Sequence, residues 1–116
     1  FLREFTAVIN EPDIRIEQII GFTPAVSSTD NLLYRAIDAA IRRAYPAASI
    51  APAVQTGFTD SHWFRHLGIA SYGVMPFLIP EAEKSGLHGN NERISIENIR
   101  KGTAVMLDIV SAVVTR

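Results

Sequence analysis

From residue 21 onward, stretches with apolar residues at helical spacing alternate with short apolar runs that suit strands. This alternation constrains the fold more than any other feature, because each one-sided element must bury its apolar face against another layer. From Asn31 to Tyr45, Leu33, Ile37, Ala40, Ile41 and Ala44 form one stripe, while Arg35, Asp38, Arg42 and Arg43 face away. Ser28, Thr29 or Asp30 is placed to cap this helix, and Pro46 stops it. Ser61 to Leu67 predicts a shorter helix with Trp63, Phe64 and Leu67 on its buried side and Gly68 just past its end. A last helix begins near Ser95 as N-cap, with Glu97 in its first turn. Ile99, Met106, Val110 and Val113 line its expected inner face, and Leu107 and Val114 widen it. Residues 14–19, 49–54 and 69–77 read as strands, with Pro52 marking an edge or an irregularity. The order β, α, β, α, β, α predicts an α/β layer architecture with some parallel pairing.

A separate helical pattern opens the chain at Phe1, Leu2, Phe5, Val8 and Ile9, and Pro12 ends it. Helix plus strand before Gly21 is too little to fold alone, so the chain is expected to be a piece of a longer protein. At 116 residues it amounts to one small domain at most. Eleven basic residues against twelve acidic ones give no reason to expect a nucleic-acid or anionic-membrane partner. Apolar runs are broken by charge or glycine within about 10 residues, short of the roughly 20 that span a bilayer. The absence of cysteine removes disulfides, thiolate metal ligands and a cysteine nucleophile, and leaves the compartment open.

The unusual chemistry is concentrated between Thr56 and Glu92, which hold all three histidines, the only tryptophan and five of the seven glycines. A Gly57-Phe58-Thr59-Asp60 turn opens the stretch and a His88-Gly89-Asn90-Asn91-Glu92 turn closes it. An imidazole in such a turn can offer one nitrogen to a metal while a nearby carboxylate or amide holds the other. His88 is therefore a candidate ligand with Glu92 as its support; the plain alternative is a histidine in a polar loop. One ligand makes no zinc site, since zinc takes three or four from the protein. His62 and His66, four apart, share a helical face and could chelate one ion, or one packs on the helix and the other is solvated. Thr59 or Asp60 either caps the helix that follows or, with its backbone N–H groups, meets an anionic substrate group. Arg65 either bridges to Asp60 or binds a substrate carboxylate bidentately.

The sequence Gly57-x-Thr59-Asp60, the aromatic residues and Arg65 after it, Gly68-Ile69-x-x-Tyr72-Gly73-x-x-Pro76, and His88-Gly89-x-Asn91-Glu92 before a long helix resemble the C-terminal part of co-catalytic zinc amidohydrolases. These are the aminoacylases, acetylornithine deacetylases, succinyl-diaminopimelate desuccinylases and related carboxypeptidases. The resemblance implies an α/β three-layer catalytic domain with two zinc ions per full-length chain, cobalt or manganese being the alternatives, and an inserted α+β lid. Residues 1–20 would be the end of that lid or dimerisation domain, and residues 21–116 the C-terminal segment of the catalytic domain. It further implies that His88 is a zinc ligand and that Gly57, Thr59, Asp60 and Arg65 lie at the substrate end of the cleft. Phe58 departs from the pattern, where many members have a second glycine. The other zinc ligands and the glutamate base of such enzymes have no counterpart in this sequence, so the chain alone is expected to be inactive.

The implied substrate is an N-acyl amino acid or a small peptide, cleaved at an amide by a metal-activated water. A non-enzymatic α/β interaction module with a structural His88 is the competing reading. Self-association is a third expectation, because uncovered strand edges and apolar helix faces pair readily.

Overall fold

Asn31 starts the element on which the rest is built. Its backbone is extended and its side-chain oxygen accepts from the Tyr34 N–H at 3.0 Å, which caps helix α2, Leu32–Ala44. The cap is thus one residue beyond the three expected. In the computed structural model, which describes residues 1–54, 57–84 and 86–115, the other helices are α1 (Leu2–Ile9), α3 (Ser61–His66), α4 (Glu81–Lys84) and α5 (Ile96–Val114). Ser95 caps α5 as its sequence predicts, accepting from the Asn98 N–H at 3.2 Å. Among the described residues, α2 and α5 are the one pair of helices packed together.

Their interface is the core. Ala36, Ile37 and Ala40 from α2 meet Val105 and Ile109 from α5, with Tyr45 beside them. Ile37 and Ile109, buried to 7% and 4% exposure, contribute roughly 1.5–3 kcal/mol each. The α2 stripe is the expected one, but of the expected inner face of α5 Val113 packs against the core while the buried face is otherwise rotated from the expected position. Asn98, Gly102, Val105 and Ile109 are buried, whereas Ile99, Met106, Leu107, Val110 and Val114 are 42–68% exposed. The reason lies at Gly102. A Cβ there would fall 2.1 Å from Phe77 Cε1, so the Phe77 ring occupies the space beside that glycine. Counting apolar residues credits neither a glycine that admits a ring nor an asparagine that holds a backbone. Arg43 and Asp108 add an ion pair of 2.8 Å between the helices at an exposed position, worth at most about 1 kcal/mol.

No β-strand forms among the described residues, which overturns the α/β three-layer architecture. Residues 14–19 and 49–54, read as strands, pair with no neighbouring strand among the described residues, the one ladder-free backbone bond being Ile14 N–H to Glu11 O at 3.2 Å, and Ile19 and Val54 are almost wholly exposed. Strand propensity describes how side chains fit a pleated neighbour; without that neighbour there is no ladder for them to stabilise. Residues 69–79 lie irregularly between the helices, and side chains supply hydrogen bonds that a ladder would have made. Ser71 N–H donates to Ser27 Oγ at 2.9 Å, and Ser71 O accepts from Ser27 Oγ and Arg65 Nε at 3.1 and 3.0 Å. The buried Tyr45 hydroxyl donates to Pro76 O at 3.0 Å. Asn98 holds both polar groups of Leu78, donating to its O at 2.8 Å and accepting from its N at 3.3 Å.

Burial stops near this core. The radius of gyration is 18.8 Å, against about 13 Å for a packed chain of this length. α1 has no buried residue. Gly102→Val is expected to destabilise the chain by about 1–3 kcal/mol through overpacking against Phe77. Its urea midpoint should fall, and Phe77→Ala in the same chain should recover part of the loss.

Candidate functional site

Helix α3 presents much of the chemistry, and its termination is well defined. Gly68, at φ 76°, takes the left-handed conformation that follows the C-cap Leu67. Gly68 N–H donates to Arg65 O at 2.9 Å and Ile69 N–H to Phe64 O at 2.9 Å, the paired bonds of a Schellman end. At its start, Asp60 occupies the N-cap but makes no side-chain capping bond. The capping role expected of Thr59 or Asp60 is therefore absent; instead Thr59 O and Asp60 O accept from the backbone N–H groups of His62 and Trp63 at 3.1 Å each. Gly57, Thr59 and Asp60 are all exposed.

The expected buried side of α3 is also not buried: Trp63, Phe64 and Leu67 are 54%, 50% and 75% exposed. Aromatic rings gather there instead. Phe22 stacks on Phe58 with centroids 4.2 Å apart, and His62 lies 5.0 Å from Phe22, 5.4 Å from Phe58 and 4.9 Å from Trp63. His66 completes the row at 4.3 Å from His62. Phe22 was not a sequence candidate, since nothing local links it to a turn so far along the chain. Packing among these rings strips water from His62, and with the nearby His66 and Arg65 it lowers the imidazole's pKa below the ordinary value.

Arg65 is half-buried and does not bridge to Asp60; its Nε donates to Ser71 O. It lines a cavity of about 220 Å³ with Ser27, Ser28, Asp30, Asn31 and Gly68. The Asn31 amide and the Tyr72 hydroxyl are hydrogen-bonded at the edge of this cavity, and both also bond to Ser28 O. A guanidinium beside hydroxyl and amide groups can receive a carboxylate, with Asp30 on the same lining as an opposing charge that is paired with Arg35 at 3.2 Å.

His88 stands apart from this group. It lies in an exposed turn with φ 57°, a left-handed backbone shared by Asn91 at φ 65°. Gly89 N–H closes the turn on Gly86 O at 2.9 Å. Among the described residues no hydrogen bond, ion pair or ring contact joins His88 or Glu92 to Gly57, Thr59, Asp60 or Arg65. No group of three or more His, Cys, Asp or Glu among them is arranged to hold a metal. The residues present therefore do not complete a zinc site, which needs three or four protein ligands.

Comparison with known proteins places these turns in a family. The family model "Peptidase family M20/M25/M40" matches residues 5–112. The chain belongs to that family. It is 26% identical over 100 residues to the N-fatty-acyl-amino acid synthase/hydrolase PM20D1.1 of Danio rerio, covering 84% of this chain and 19% of the relative. It is 27% identical over 96 residues to the probable carboxypeptidase S-like 2 of Dictyostelium discoideum, covering 81% and 18%. It is 31% identical over 93 residues to the N-fatty-acyl-amino acid synthase/hydrolase PM20D1 of Xenopus tropicalis, covering 78% and 18%. The chain thus spans about a fifth of the length of these relatives. No solved structure matches the chain significantly.

Two outcomes test the local physics. In a proton NMR titration, the His62 C2–H midpoint should lie below that of an ordinary imidazole and rise when Arg65 is changed to Gln. His88→Gly should not lower the urea midpoint, because a left-handed backbone costs an L-residue about 1 kcal/mol that glycine avoids.

Proposed function

We propose that the chain is the C-terminal segment of a metal-dependent amidohydrolase or metallopeptidase that cleaves an amide of an N-acyl amino acid or small peptide. The observation that carries this reading is the family match across nearly the whole chain. The relatives' names add N-fatty-acyl-amino acid and carboxypeptidase chemistry. Both kinds of substrate offer a free carboxylate, which suits Arg65 beside the cavity with Ser27, Ser28 and Asn31. Gly57, Thr59 and Asp60, at the start of α3, form part of the same substrate wall.

His88 is proposed as one ligand of a zinc site whose other ligands lie elsewhere in the full protein, with Glu92 supporting it. Its exposure and the absence of any structural hydrogen bond to its imidazole among the described residues favour this over a role in stabilising the turn. The proposal assigns residues 1–20 to the end of a lid or dimerisation domain and residues 21–116 to the catalytic domain.

The test uses the full-length gene product beside the 116-residue chain. The full-length protein should hydrolyse N-acyl amino acids or short peptides and hold about two zinc ions; the chain alone should do neither. His88→Ala in the full-length protein should lower kcat/KM by about 100-fold or more, beyond the usual cost of losing an outer partner of a ligand. Hydrolysis by the isolated chain, or full activity of the His88 variant, defeats the reading.

A further inference from the structure

His62 and His66 lie on one face of α3 with ring centroids 4.3 Å apart and planes at 65°. Two imidazoles bound to one late divalent ion at about 2.0–2.1 Å per nitrogen place their centroids roughly 4.5–5 Å apart, for angles between square-planar and tetrahedral. The rings are already neighbours, and i, i+4 spacing supplies the common face, so side-chain rotation has only to turn one nitrogen of each ring toward a shared ion. We propose that His62 and His66 form a two-nitrogen chelate for a late first-row divalent cation, Cu²⁺ before Ni²⁺ or Zn²⁺, separate from the ligand role of His88.

The chemistry of the pair selects the ion. Neutral imidazoles favour copper, nickel and zinc over magnesium or calcium, and affinity at a fixed nitrogen pair peaks at copper. A ligating imidazole must be neutral, so binding is expected to strengthen as pH rises through the imidazole range. Water fills the remaining coordination positions, since no carboxylate joins the pair to make a group of three among the described residues. The Arg65 charge opposes the cation, but its Nε is turned to Ser71 O.

Binding has a structural consequence. A six-residue helix is too short to be stable by itself. An ion bridging its first and last turns staples it, and with it the Thr59-Asp60 corner whose carbonyls accept its first N–H groups.

Trp63, the only tryptophan, lies 4.9 Å from His62 and reports directly on the site. Cu²⁺ added to the 116-residue chain at neutral pH should quench its fluorescence saturably at one ion per chain, with a rise in far-UV helicity. His62→Gln and His66→Gln should each weaken the titration by roughly tenfold or more, since loss of even an outer partner costs a metal site about that much. His88→Gln should leave it unchanged. Neither His62 nor His66 belongs to the α2–α5 core, so an unaltered urea midpoint checks that the variants fold. Non-saturating quenching, equal titration of the His62 or His66 variants, or loss of the titration on His88→Gln overturns the proposal. The last result would favour an ion at the family site and leave the function proposed above standing.

Discussion

Phe77 fills the space beside Gly102, and Asn98 one turn earlier grips both polar groups of Leu78. Through these two contacts α5 acquires the irregular segment before it, and Tyr45 ties the same segment to the end of α2 through Pro76. The helix pair and the segment lying between them therefore form one unit. Asn98 carries particular weight there. It is 8% exposed, and a polar side chain that deeply buried is costly unless both of its hydrogen-bonding groups are satisfied.

The second dependence runs outward from that unit. Ser71 joins Ser27 and Arg65 at one carbonyl, so α3 is attached to the α2 side by side-chain hydrogen bonds rather than by apolar packing. The cavity beside Arg65 sits at this junction, next to the α2 cap. Stability and chemistry are separated in the chain. Buried apolar area belongs to α2 and α5, while His62, Thr59, Asp60 and His88 lie on turns and on a short helix with little apolar support. Segments of that kind open locally at lower free energy than the core.

The turns that carry the family's signature were legible in the sequence because glycine, asparagine and histidine punctuate them strongly. Gly68 ends α3 in the left-handed conformation its position demands, and Ser95 caps α5 where the apolar pattern begins. The strands were misread for a physical reason. Residues 14–19 begin with apolar-polar alternation and residues 49–54 are a short apolar run, but a strand is a relation between two backbones, and neither run pairs with a neighbouring strand among the described residues. The aromatic cluster was not legible because Phe22 meets Phe58 and His62 only after the chain turns back on itself.

By itself the sequence determined where α5 starts and where α2 and α3 stop, which face of α2 is apolar, and the order of motifs that identifies the family. These are local properties, set by backbone preference, capping and 3.6-residue spacing. Only the tertiary structure decided which face of α5 turns inward, because that depended on a ring finding the space beside Gly102. It likewise decided that residues 69–79 are held by side chains such as those of Ser27 and Asn98 rather than by a ladder, and that Phe22 packs against Phe58 and His62. Each of those outcomes requires atoms far apart in sequence to share one volume or one hydrogen bond, and periodicity along a single chain contains no record of that.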